Sequence, residues 1–129
     1  MNKNAFGFAA ALLLVACGGP SSESSVETNV VVTDVVDGDK ISGRYDPTGF
    51  TQANARKMAG FSCVDAQLAT YGEAAVDGQN VFEATCTSGI VHGKGSGVNF
   101  TRTGVNSAKY SSIFSLNGEL VFDSGEFPL

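Results

Sequence analysis

Ile113-Phe114-Ser115-Leu116-Asn117-Gly118-Glu119-Leu120-Val121-Phe122 is the stretch that decides the fold. Two strand-prone runs flank Asn117-Gly118, the dipeptide best suited to the two left-handed residues of a type I′ turn. That turn matches the twist of antiparallel strands, so the segment predicts a β-hairpin. Strict alternation puts Ile113, Ser115, Leu120 and Phe122 on one face, and Phe114, Leu116 and Val121 on the other. Both faces are partly apolar. The expectation is that the rest of the domain covers both; the other reading is an apolar face offered to a partner.

Working back toward the N-terminus, Val98 to Arg102 reads as a short strand. Before it, 88–97 is a glycine-rich loop, Ser-Gly-Ile-Val-His-Gly-Lys-Gly-Ser-Gly, carrying His92, Lys94 and Ser96. A phosphate-binding loop needs a glycine where Ser88 stands and a hydroxyl residue where Gly95 stands, so that motif fails at both ends. Gly-x-Ser-x-Gly also fails, because Ser96 falls one place late. His92, Lys94 and Ser96 therefore stand as a candidate interaction loop. His92 as a catalytic base is the minor alternative.

Val81 to Cys86 alternates, with Phe82, Ala84 and Cys86 on one face, and Val64 to Tyr71 alternates before it. Asp77-Gly78 supplies the turn between the two. Phe50 to Ala59 is the best helix. Phe50, Ala53, Met58 and Phe61 share one side of its wheel, Thr48 or Thr51 caps its start, and Gly60 follows its end. Further back, Val30 to Val36 and Lys40 to Tyr45 flank Asp37-Gly38 and read as two more strands. The acids around that turn lack the spacing and the distant Glu of a calcium loop. The fold class expected is α+β: a small antiparallel sheet of about five to seven strands, one packed helix and one disulfide.

The N-terminus is of another kind. Ala5 to Val15 is an apolar run behind Lys3, too short for a membrane-spanning helix, which needs about 20 apolar residues. It ends in Leu14-Val15-Ala16-Cys17. That ending resembles the lipobox of bacterial lipoprotein precursors. The resemblance implies a signal peptide over 1–16, removed on maturation, and a lipidated Cys17 as the first mature residue. Two or more acyl chains would then hold the protein on a bilayer. Gly18 follows where an inner-membrane retention signal would place Asp, so the resemblance favours the periplasmic face of the outer membrane. Residues 17–29, rich in Ser and Gly, read as a tether with a mean reach of about 20 Å. The globular domain is assigned to 30–129.

Of three cysteines, the lipid then claims Cys17, and an oxidising envelope leaves Cys63 and Cys86 to pair. A metal or redox pair is the rival, disfavoured by their spacing and by a single His in the chain. No metal, cofactor or catalytic residue is assigned. Removing 1–16 takes away Lys3 and no acid, leaving seven basic against thirteen acidic groups and a net charge of −6. Such a chain is a poor nucleic-acid binder.

The function expected is a non-catalytic binding module of the cell envelope, attached to the membrane by its lipid and partnered by another envelope protein. One alternative is an inhibitor of a periplasmic or host enzyme such as lysozyme. Ser88-Gly89 with Lys94 resembles, at those residues only, the active loop of small disulfide-tied lipoproteins that inhibit lysozyme. The strand and aromatic pattern differs from theirs, so the domain is assigned to no family. The other alternative is a small enzyme using the His92 loop.

Overall fold

A computed structural model describes residues 27–129. The expected signal peptide, the lipidated Cys17 and most of the expected tether lie outside the described residues. Among the described residues, seven strands and one helix follow in the order β1 (Val30–Val35), β2 (Lys40–Tyr45), α1 (Gln52–Gly60), β3 (Leu68–Val76), β4 (Gln79–Cys86), β5 (Gly97–Gly104), β6 (Ser107–Leu116) and β7 (Glu119–Pro128). The strands make one antiparallel sheet in the order β3-β4-β2-β1-β5-β6-β7. This is richer in strand than the α+β expectation, although the single helix and the disulfide are both present.

The local hairpins form where turn chemistry placed them. Asp77-Gly78 and Asn117-Gly118 all take positive φ (52°, 81°, 55° and 84°), the two-residue geometry in which glycine and Asx residues are least strained. Long-range pairing completes the sheet. The β3–β4 hairpin docks through β4 on β2, and the chain then crosses back to lay β5 on the other side of β1. Both connections that carry these crossings, the helix and the 87–96 loop, pass over the same face of the sheet.

That inner face holds the core. Val31, Ile41, Tyr45, Phe82, Ala84, Val98, Phe100, Ala108 and Phe127 are buried there beneath Ala55, Met58 and Ala59 of α1. Thr33 is buried among them with its hydroxyl donating to the Val98 carbonyl, 3.2 Å away. Two direct cross-strand pairs set an aromatic ring over a glycine. Phe82 covers Gly43, where a Cβ would meet the ring at 2.3 Å, and Tyr110 covers Gly125 at 2.7 Å. A side chain at either glycine would displace the ring.

Thr51 caps the helix: its side chain accepts from the Asn54 N–H and Asn54 returns the bond, 3.1 Å each. The buried face is Ala55, Met58 and Ala59, not the expected Ala53 side; Ala53 is exposed. Phe50 misled the wheel because it precedes the cap and lies outside the helical turn count. Gly60 is the last helical residue, and Phe61 is the C-cap. Phe61 leans toward the far half of the sheet, with ring centroids 5.7 Å from Phe100, 4.7 Å from Tyr110 and 5.6 Å from Phe127.

Val64 to Gln67 is not strand. Turns follow the helix, Ala66 takes φ 61°, and β3 begins only at Leu68. Val64 is exposed and bonds from its N–H to the Gly89 carbonyl at 3.0 Å. The alternation in this stretch belongs to a turn segment tied to the end of β4 by Cys63–Cys86, whose Cα atoms lie 5.4 Å apart. β3 also runs on to Val76, and β6 starts at Ser107, earlier than its apolar run suggested.

Candidate functional site

The registers give the sheet two distinct ends. At one end lie the start of β1, the 77–78 turn and the 104–107 turn; the described chain enters here. At the other end lie the 36–39 turn, the 87–96 loop and the 117–118 turn. This loop end gathers the glycine-rich loop and the last hairpin into one surface.

The loop is pinned rather than loose. Gly95 N–H bonds to the Val35 carbonyl at 3.0 Å, and Val35 N–H to the Ser96 carbonyl at 2.9 Å. Val91 N–H reaches the Ser62 carbonyl at 2.9 Å, and Gly89 and Gly95 supply positive φ (98° and 90°) where the chain doubles back. His92 is half-buried, and its ring stacks flat on Phe114, centroids 3.6 Å apart and planes within 6°. No local pattern marks this contact, because the two rings meet only through tertiary packing. Lys94 is exposed at the loop's crest.

Behind His92 is a cavity of about 150 Å³. Phe61, Val91 and Val98 give it apolar walls; Ser96, Ser112 and Asp123 bring polar atoms to it. Ser96 and Ser112 are buried. Their hydroxyls donate to backbone carbonyls, Ser96 to Gly93 at 2.9 Å and Ser112 to Asp123 at 3.4 Å. Among the described residues no hydrogen bond joins His92 to either serine or to Asp123. Residues of the nucleophile–base–acid types thus share a cavity without being linked as a relay. Nor does any group of three or more His, Cys, Asp or Glu among the described residues suit a metal.

A second polar cluster lies toward the other edge of the inner face. Glu73 accepts from Tyr45 at 2.7 Å, from Tyr71 at 2.6 Å and from Asn80 at 2.8 Å, and the Arg56 guanidinium sits 4.7 Å from the centre of the Tyr71 ring. Burial first, and the Glu73 carboxylate second, hold the Tyr71 phenol well above the ordinary tyrosine range. Both Tyr45 and Tyr71 act as donors, so this carboxylate is held by a full shell of partners and ties β2, β3 and β4 together. The sequence did not reveal it, since Glu73 sits in a stretch without apolar alternation.

The expectation that the last hairpin is covered on both faces is overturned. Leu116, Leu120 and Phe122 are 56%, 65% and 72% exposed. Leu120 and Phe122 lie on the face of the sheet away from the helix and core, and Leu116 lies beyond Ile113, the last β6 residue paired with β5, so nothing in the described domain covers them. Val36, Val64 and Val91 are also exposed at this end, whereas Val76 and Val105 are the large exposed apolar residues at the entry end. Six of the eight such residues among those described thus crowd the loop end, away from the side where the chain enters. Comparison with protein-family models, curated proteins and solved structures finds no match to this chain.

Proposed function

We infer that this chain is a non-catalytic binding module of the bacterial envelope, lipidated at Cys17, which presents its loop end to a protein partner. The observation that carries the reading is the polarity of the domain. The tether would join at the entry end, and the exposed apolar side chains gather at the other. A patch of this kind on a small soluble domain marks an interaction site more often than chance exposure. The hairpin tip is the surface assigned, with Leu116 on the face that the loop meets through His92 on Phe114, and Leu120 and Phe122 on the opposite face.

Site-specific photo-crosslinking in the native envelope tests this. A photoreactive residue at Leu120 is expected to capture a protein, and the same residue at Val105, 85% exposed at the entry end, is not. Equal capture from both positions, or none from Leu120, would overturn it. Mass spectrometry of the native chain is expected to find acyl groups on Cys17, with Cys17→Ala leaving the membrane fraction. The projecting hairpin also favours one narrower version, an inhibitor that inserts into an enzyme cleft. The purified chain would then inhibit lysozyme, and Leu120→Ser with Phe122→Ser would relieve that inhibition.

A further inference from the structure

The two outer strands of the sheet differ in what they leave open. β3 carries a register break between Leu68 and Thr70, which twists an edge and spoils it as a template. β7 pairs with β6 over all ten residues, Glu119 to Pro128, without a break. Its opposite side has no neighbour among the described residues.

The polarity of that free side follows from the ladder. Leu129 N–H bonds to the Asn106 carbonyl at 2.9 Å, and residues facing β6 alternate from there through Phe127, Gly125, Asp123 and Val121 to the turn-closing Glu119. Leu120, Phe122, Ser124 and Glu126 therefore aim their N–H and C=O groups outward. Long, regular, partly apolar edges of this kind invite strand addition, and soluble domains ordinarily blunt them with bulges, Lys or Pro. Here Pro128 comes only at the end, and no Lys or Arg lies between Ser111 and Leu129.

Charge selects the occupant. Glu119, Asp123 and Glu126 are all exposed on this strand; Lys109 stands opposite Glu126, and Lys57 over the Phe127 ring lies at the same end, so Glu119 and Asp123 toward the hairpin tip have no base beside them among the described residues. A second copy would bring acid against acid on a chain of net charge −5, and like charges across a strand pair are destabilising. A basic, alternately apolar strand meets both the backbone groups and, on the face opposite Leu120 and Phe122, the Glu119 and Asp123 carboxylates. We propose that β7 is a strand-addition site for an extended segment of a partner protein, one that alternates apolar and basic residues and sets its apolar side beside Leu120 and Phe122. This rests on the binding-module reading and specifies how the partner is held.

The test uses the full chain in detergent and a blocked peptide alternating valine and lysine, about eight residues long to match the edge. Hydrogen exchange is expected to slow at the Leu120, Phe122, Ser124 and Glu126 amides. It should not slow at Tyr71, Glu73 and Ala75, the outward amides of β3. A valine–glutamate peptide should bind at least tenfold more weakly. Ser124→Pro removes an outward N–H and no ladder bond, so it should abolish the protection. Phe122→Lys, at an exposed position, provides a second variant expected to weaken binding by a similar factor if Ser124→Pro fails to fold. Equal protection of both edges, equal binding of the acidic peptide, or concentration-dependent dimers protecting these amides would each overturn the proposal. Capture from Leu120 that persists undiminished in folded Ser124→Pro would leave the binding module standing and remove strand addition alone.

Discussion

The half of the sheet built from β2, β3 and β4 and the half built from β5, β6 and β7 are held by different means. In the first, a disulfide, a capped helix and a carboxylate with three side-chain donors act on neighbouring strands. In the second, aromatic packing does the work: Phe61, Phe100, Tyr110 and Phe127 form one group, and the strands then run beyond it into solvent. Cross-links and a polar shell tie the strands of one half. Aromatic contact dominates the other, beside side-chain bonds such as Arg102 to the Gly49 carbonyl and Ser112 to the Asp123 carbonyl, and its far tip is left open for binding.

The sharpest way to break this contrast is Phe100→Ala, which removes the fully buried centre of the aromatic group. A loss of about 3–5 kcal/mol in urea unfolding is expected. Cys63→Ser should cost about 3 kcal/mol on the chain-entropy model, and should leave exchange protection of β6 and β7 as it was. If protection of β6 and β7 fell with it, the halves would not be independent. Glu73→Ala leaves two phenols without their acceptor, while the Asn80 amide keeps the Tyr45 hydroxyl, and should cost about 1–2 kcal/mol.

The same cluster gives an alkaline signature. Tyr71 titrates higher in the folded chain than in the unfolded one, so its contribution is complete below the unfolded value of about 10 and is lost as pH rises beyond it. Stability should fall as pH rises above about 10, and Tyr71→Phe should reduce that fall without removing it, because burial raises Tyr45 of the same cluster in the same sense. The smallest effect belongs to the tip. Leu120→Ser with Phe122→Ser should change stability by less than about 0.5 kcal/mol while abolishing capture from the loop end.

What the sequence made legible follows the range of the interactions. Asp77-Gly78 and Asn117-Gly118 announced their hairpins because turn geometry is set by the residues in the turn. The face shared by Phe82, Ala84 and Cys86 was legible for the same local reason. The joining of β2 to β4 and of β1 to β5 carried no such mark, since any apolar strand edge would have served. Val64 to Gln67 alternated like a strand yet was claimed by the loop that the disulfide straps down. At the candidate site, His92 and Ser96 were visible as a loop, and the hairpin as a hairpin. That they form a single surface depended on Phe114 meeting His92, and the exposure of the tip depended on where the core ends.

The central position of β1 has a consequence for biogenesis. Thr33 is joined to Val98 across 65 residues, so the middle strand is translated first and waits longest for its second neighbour. At roughly 5–20 residues per second, that interval is about 3–13 s of synthesis. Throughout it, Val31 and Val35 have no β5 beside them, and a chaperone that shelters newly made chains would find its substrate there, well before the finished domain has anything to bind.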